Sequence, residues 1–373
     1  MDGQQVIVIN GDFAELDECL SGLCLKKILL VCGHSIELLN IGVYFRNLER
    51  RKGIEVVIFD KFSPNPQYSS VVEGIKFFKE EHCDSIVAVG GGSAIDVAKC
   101  IKLYSRMNES SNLLKQSIIS NDIKLIAVPT TAGTGSEATR YAVIYYNGEK
   151  QSISDYSCIP SVVVIDPMAL KTLPIYQRKS TMMDAFCHAI ESLWSINSNN
   201  ESREYSRRAI RAILKYKDAY LNNKNEGNLG MLYASNISGK AINITQTTAG
   251  HAMCYKLTSL YGLAHGHAAA LCVSKLWPYM IAHIGDCIDP RGVQYLNNIF
   301  LEIAYAMRCK TSKEAIAYLD GTLYDLSLEV PILRDKYDFE ILKNSVNTAR
   351  LENNPVKLDI GAIDDLYHQI MKY

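Results

Sequence analysis

Apolar residues in the first part of the chain fall into short continuous runs, at 28–31, 56–59, 86–89 and 125–128, and the stretches between them have helical spacing. Continuous apolar strands alternating with helices predict a parallel sheet covered on both faces. The runs at 141–146 and 162–165 predict further strands. After Asp166-Pro167 such runs nearly vanish, and amphipathic helical segments continue to the end. The pattern therefore predicts an α/β domain over 1–167 and an all-helical domain over 168–373. Ser63-Pro64-Asn65-Pro66 is a turn cluster, and Leu173-Pro174 fits the start of a helix. The Lys and Arg residues of 201–220 alternate with apolar positions and read as a solvated helix face.

The length of 373 residues agrees with two domains at roughly 150 residues each. Lys and Arg total 39 against 40 acidic residues, a net charge of -1, so no broad field for nucleic acid is present and any anion must be bound locally. Hydrophobic residues make up 48% and charged residues 21%, an ordinary globular balance, and no apolar run is long enough to span a bilayer. Met1-Asp2-Gly3-Gln4-Gln5 carries no secretory pattern, so a cytoplasmic location is expected. Eleven scattered cysteines without a Cys-x-x-Cys pair suggest neither a disulfide framework nor a thiolate zinc site.

Two loops carry candidate chemistry for a nucleotide. Gly90-Gly91-Gly92-Ser93-Ala94-Ile95-Asp96 follows a predicted strand and opens a helix. Its glycines let backbone N–H groups approach a diphosphate, and the helix N-terminus adds partial positive charge. Ser93 and Asp96 also read as a capping box. The pattern differs from the G-x-G-x-x-G fingerprint, and a plain strand-to-helix turn would explain the glycines too. Pro129-Thr130-Thr131-Ala132-Gly133-Thr134-Gly135-Ser136-Glu137 likewise follows an apolar run and is dense in hydroxyl and glycine donors. Two such loops at the ends of adjacent parallel strands would share one crevice.

Asp184 and His188, four apart in a helical stretch, project from one face. Such a pair is more often a surface pair than a site unless it has partners. Partners come from His251 and His265, fourteen residues apart, about 21 Å along a straight helix. The chain must bend between them for both to reach one ion, and Tyr261-Gly262 offers the break. Three histidines and a carboxylate suit a divalent first-row metal such as iron or zinc.

Taken in order, the Gly-Gly-Gly-Ser-x-x-Asp-x-Ala-Lys turn, the Pro-Thr-Thr-Ala-Gly-Thr-Gly-Ser-Glu loop, the Asp-Ala-x-x-His-Ala-Ile-Glu helix and the later histidines resemble the iron-containing (group III) alcohol dehydrogenase family. The resemblance covers most of the chain except about the last eighty residues. It implies an N-terminal Rossmann-like dinucleotide-binding domain, a helical C-terminal domain, and a metal and substrate in the cleft between them. It places the metal, Fe2+ ahead of Zn2+, on Asp184, His188, His251 and His265. It places NAD(P)H on Gly90, Gly91, Gly92, Ser93 and Asp96, on Thr130, Thr131, Thr134 and Ser136, and on Lys150 at the nicotinamide ribose. A small aldehyde or alcohol substrate and a homodimer are implied as well, with no nucleic-acid or membrane partner.

Two departures from the family pattern bear on chemistry. Gly33 stands where many NAD-specific members carry an aspartate, which leaves no carboxylate to repel a 2′-phosphate. Tyr255 stands where many members carry a histidine used near the nicotinamide or in proton relay, so Tyr255, His267 or water is left as the proton route. The Tyr255-Lys256-Leu257-Thr258 and His265-Gly266-His267 stretches resemble phosphonoacetaldehyde reductases more than general ethanol or butanol dehydrogenases. An anionic substrate head would then find Arg140, Lys256 and His267 as candidate partners, although each of these could equally be a surface charge. A rival reading, a sugar-phosphate lyase resembling dehydroquinate synthase, fits the Pro-Thr-Thr-Ala-Gly-Thr-Gly-Ser loop less well. A nucleotide-binding assembly subunit without chemistry would not need four intact ligands.

Overall fold

The computed structural model describes residues 4–108, 111–346 and 348–372. The chain forms two compact units, Met1–Leu173 and Pro174–Tyr373.

Among the described residues of the first unit there are eight strands: β1 (Gln5–Val8), β2 (Lys27–Cys32), β3 (Glu55–Phe59), β4 (Ser85–Gly90), β5 (Lys124–Pro129), β6 (Tyr141–Tyr146), β7 (Glu149–Ser154) and β8 (Val162–Ile165). Six of them form one sheet in the order β1-β8-β5-β4-β2-β3, and every pair in it is parallel. The apolar runs are continuous because alternate residues of each strand enter different cores. Leu29, Val31, Ile86, Ala88, Leu125 and Ala127 face a layer that contains α3 (Tyr68–Glu80) and α4 (Gly92–Tyr104) residues such as Val71, Ile75, Val97 and Ile101. Ile28, Leu30, Val87, Val89, Ile126 and Val128 face the opposite layer, with Leu16 and Leu20 of α1 (Ala14–Gly22) and Ile41, Tyr44 and Phe45 of α2 (Asn40–Arg46).

Strand order positions the candidate loops. The chain passes from β2 outward to β3, but from β4 it moves the other way to β5. Winding reverses between β2 and β4, and at such a switch point the carboxyl ends of parallel strands leave a crevice. Cys32 pairs with Val89 and Gly90 with Pro129, so the ends of β2, β4 and β5 are level, and Gly33, Gly91 and Thr130 emerge side by side.

The expected strand at 141–146 forms, but outside this sheet: β6 pairs antiparallel with β7. Asn147 and Gly148, with φ of 52° and 78°, make the two-residue turn between them. β1 and β7 were not anticipated. β1 spans only four residues, and β7 is a polar strand with a single buried apolar residue, Ile153.

In the second unit the described residues contain helices and no strand beyond isolated bridges such as Cys287 with Val356. Its core is built from α5 (Ile175–Trp194), α6 (Asn200–Leu221), α7 (Asn225–Thr245), α8 (Ala249–Tyr261) and α9 (His265–Ala282). Trp194, Trp277 and Phe300 pack their rings together in it. α8 ends where Gly262 turns left-handed at φ 70°, its N–H donating to Thr258 O at 3.0 Å. This is the break required between His251 and His265. Among the described residues no helix is long and apolar enough to cross a membrane, and all eleven cysteines are free thiols.

Candidate metal centre and nucleotide loops

The twenty-residue α5 presents Asp184, His188 and Glu191 at i, i+4 and i+7, one above another on one face. His251 enters from the first turn of α8 and His265 from the first residue of α9. His251 Nε2 lies 3.4 Å from Asp184 Oδ1, and His188 Nε2 and His265 Nε2 each lie 3.9 Å from the same oxygen. One ligand atom from each of Asp184, His188 and His251 falls within 4.8 Å of the others. In a tetrahedral site with metal–nitrogen bonds near 2.0 Å, neighbouring ligand atoms stand about 3.3 Å apart, so Asp184, His188 and His251 would draw closer together to close on one ion. Side-chain exposure is 3% for Asp184, 7% for His188, 1% for His251 and 37% for His265. His265 is therefore the candidate on the open side, and it lies outside the group of three whose ligand atoms fall within 4.8 Å of one another.

Protonation follows from this enclosure. Burial alone would raise the Asp184 carboxyl, but His188, His265 and His251 hold it well below the usual carboxylate range. Burial alone would drive the proton off His251, yet Glu191 and Asp184 outweigh it and lift its pKa to about 10.

Glu191, a motif residue with no role assigned above, acts on His251. Its Oε2 engages His251 Nδ1, while Oε1 accepts from Thr248 Oγ1 at 2.6 Å, Thr248 N at 3.2 Å and His251 N at 3.3 Å. A carboxylate on one ring nitrogen turns the other toward the ion and raises its basicity. The i, i+4, i+7 spacing was the signal that could have found it. His265 is flanked by Cys254 Sγ, 3.7 Å from its Nδ1, and by the Tyr255 ring, stacked at 5.4 Å and 18°. Tyr255 thus lies flat against the His265 ring. Lys256 follows it on α8, half-buried.

His267 is buried, with both ring nitrogens engaged: Nδ1 lies 3.1 Å from Tyr176 Oη and Nε2 lies 3.0 Å from Glu329 O. Because a carbonyl only accepts, Nε2 carries the hydrogen and Nδ1 accepts from the tyrosine. Burial pulls its pKa below the ordinary histidine value despite the Glu329 carbonyl.

In the first unit the two loops interlock. A Cβ on Gly91 would stand 3.2 Å from the Thr131 side chain, and one on Gly92 would stand 3.2 Å from Thr134 Cγ2. The glycines thus permit close approach of the threonine loop as well as of any phosphate. The expected Ser93–Asp96 capping box does not form. Gly91 occupies the N-cap, and Asp96 turns to the other loop, accepting from Ser136 Oγ at 2.6 Å and Val143 N at 3.1 Å. Burial raises the Asp96 carboxyl, opposed by the nearby Lys99, Ser136, the Val143 N–H and Lys150. Lys150 itself lies on β7 opposite Tyr145.

Lys99, also in the motif but given no role, is fully buried and donates to Ser136 O at 2.6 Å, Thr139 O at 2.7 Å and Tyr141 O at 2.7 Å. One ammonium satisfies three carbonyls of an irregular segment. Thr130 N donates to Gly90 O at 3.0 Å, and Thr134 Oγ1 accepts from Ser136 N at 3.2 Å. Arg140 lies over the rings of Tyr141, at 4.9 Å, and Tyr156, at 4.7 Å, and bonds the Tyr156 hydroxyl.

Gly33 has an ordinary extended φ of -92°, and a Cβ there meets nothing within 4 Å. Gly33→Asp is therefore sterically free. It is expected to reduce kcat/KM with NADPH about tenfold relative to NADH, roughly 1.4 kcal/mol; an unchanged cofactor ratio would show that this position does not read the 2′-phosphate.

Comparison with known proteins agrees with this layout. The family described as iron-containing alcohol dehydrogenase matches residues 3–167, and its C-terminal part, described as Fe-containing alcohol dehydrogenase family, C-terminal, matches 179–370. Alcohol dehydrogenase 4 of Schizosaccharomyces pombe is 32% identical over 369 residues, covering 93% of this chain and 83% of that protein. Phosphonoacetaldehyde reductase of Streptomyces viridochromogenes is 29% identical over 290 residues, 74% of this chain and 73% of that protein. The crystal structure of sulfoacetaldehyde reductase from Bifidobacterium kashiwanohense in complex with NAD+ superposes with a TM-score of 0.87 at 25% identity, covering 99% of this chain and 97% of that one. With both halves matched in register, and with a histidine and carboxylate cluster of the kind its motifs foretell, the chain belongs to the iron-containing alcohol dehydrogenase family.

Proposed function

We propose that this enzyme reduces a short aldehyde bearing a compact anionic head, such as phosphonoacetaldehyde, with NADH or NADPH. The observation that carries the metal-dependent part is the convergence of His188, His251 and His265 on Asp184, with Glu191 behind His251. A divalent ion held there, iron first and zinc second, would supply Lewis acidity to the substrate oxygen, and a bound nicotinamide would supply the hydride.

The chain's own residues do the rest. Asp184, His188, His251 and His265 hold the ion, and Glu191 fixes the ring of His251. Residues 1–167 bind the dinucleotide, with the diphosphate at Gly90, Gly91, Gly92 and Ser93, the hydroxyls of Thr130, Thr131 and Thr134 beside it, and Lys150 at the ribose. Asp96, Ser136 and Lys99 keep that loop in shape. Residues 168–373 carry the metal and substrate chemistry. Proton delivery falls to Tyr255, flat against His265, or to water, since both ring nitrogens of His267 are engaged elsewhere. A cytoplasmic homodimer is the expected form of the enzyme.

The anionic head draws on the likeness to two reductases of anionic aldehydes, with Arg140 and Lys256 as the basic residues to be tested, each on its own. A lost charge-assisted hydrogen bond costs about 1.5 to 3 kcal/mol, so kcat/KM for phosphonoacetaldehyde should exceed that for acetaldehyde or butanal by roughly tenfold to a hundredfold. Arg140→Ala and Lys256→Ala should narrow the gap. Following NAD(P)H absorbance across such a panel also separates net reduction from lyase chemistry, which consumes no NAD(P)H, and equal efficiency on neutral aldehydes would sink the anionic reading.

A further inference from the structure

We propose that the Tyr176 hydroxyl is a positioning group for His265, tying the turn that presents this ligand to the helix that carries Asp184 and His188. The proposal rests on the metal reading above. His265 is the first residue of α9, it follows a left-handed glycine by three residues, and it is the most exposed of the four ligands. Beside the contacts of its ring with Cys254 and Tyr255, the anchoring of its backbone sets where this side chain points.

The anchoring is specific. Tyr176, the second residue of α5, accepts from Ala264 N at 3.0 Å, immediately before the ligand. Its own proton goes to His267 Nδ1 at 3.1 Å, because His267 Nε2 must donate to Glu329 O. His267 N in turn donates to Ser180 Oγ at 3.0 Å, one turn further along α5. The backbone is thus pinned just before His265, at Ala264, and just after it, at His267, and both pins lead to the first turns of the helix that supplies Asp184 and His188. One hydroxyl closes the chain by accepting and donating at once. In this network His267 is also a positioning residue, its two ring nitrogens committed to Tyr176 and Glu329.

Tyr176→Phe keeps the ring, which stands edge-on to His267 at 6.0 Å and 82°, and removes both bonds of the hydroxyl. The test is a double-mutant cycle on the full chain: wild type, Tyr176→Phe, His265→Ala and the double variant, each stripped with chelator and titrated with Zn2+ by calorimetry. Tyr176→Phe should weaken Zn2+ binding about tenfold, the scale of an outer-shell partner. In the His265→Ala background, where Asp184, His188 and His251 remain, the same change should shift the affinity less than about twofold. Equal weakening in both backgrounds would mark Tyr176 as general packing and overturn the proposal, as would no weakening in either. If Tyr176→Phe fails to fold, His267→Gln, which removes the acceptor from the hydroxyl, is carried through the same cycle with the same outcomes. A wild type that takes up no Zn2+ would overturn the metal reading and this inference with it, a result distinct from either of the others.

Discussion

Asp184→Asn is expected to cost the protein most of its metal and at least about a thousandfold in kcat/KM, roughly 4 kcal/mol of transition-state stabilisation. The amide fills the same volume, so packing against α9 is kept and the change is one of charge. Three imidazole nitrogens converge on Asp184 Oδ1, and without its charge the site offers only neutral donors and an amide, a poor ligand for a divalent first-row ion. Wild-type affinity should itself rise with pH. His251 is protonated up to about pH 10 when no metal is bound, and an ion must expel that proton to gain the nitrogen. Metal analysis after dialysis, with kinetics at saturating metal, checks the variant; wild-type metal content and rate would remove Asp184 from the site.

Gly266→Ala should do comparable damage through sterics alone. A Cβ at this position would lie 2.1 Å from the Ser180 carbonyl oxygen and 2.5 Å from Asp184 Cβ. Neither obstacle is the mobile end of a side chain, so α5 and α9 must part. Overpacking of this kind costs about 1–3 kcal/mol, and at about 2–4 °C per kcal/mol for a domain of this size the melting temperature should fall by roughly 2 to 12 °C. Metal affinity should fall as well, because the displaced atoms belong to the residues beside His265 and to Asp184 itself. Gly321→Ala, at an exposed helical position where a Cβ meets nothing within 4 Å, is the control, and its helix should gain about 0.5–1 kcal/mol. Equal melting temperatures for Gly266→Ala and wild type would show that the two helices can separate at little cost.

Much of the fold could be read from the chain because a parallel strand buried on both faces leaves a continuous apolar run, as at Ile28 to Val31 and Ile86 to Val89. β7 could not be found that way, since only Ile153 of its six residues is buried. Its hairpin did leave a mark in Asn147-Gly148, a turn signal the apolar pattern passed over. The candidate metal group of Asp184, His188 and His251 showed itself through residue type and spacing. Glu191 was visible in the same helical register, whereas Tyr176 was not, because its hydroxyl meets Ala264 and His267 across 88 and 91 positions of chain. The capping box at Ser93 and Asp96 misled for a related reason. Local spacing offers a carboxylate to the helix start, but a second loop brought by the fold supplies Ser136 Oγ and Val143 N and wins it.

The buried ammonium of Lys99 bears on how this family member can change over evolutionary time. It grips the segment after β5 chiefly by main-chain oxygens, at positions 136, 139 and 141, and carbonyls are present whatever the side chain. Position 140, whose side chain is only half-buried, can therefore change without the segment losing this hold, whereas Glu137 and Ala138 are buried and are constrained by packing as well. Shape is inherited from one lysine on a neighbouring helix while the surface chemistry of the loop stays open to selection. Arg140 stands at that position, so its guanidinium can be replaced with the backbone path of the loop held constant.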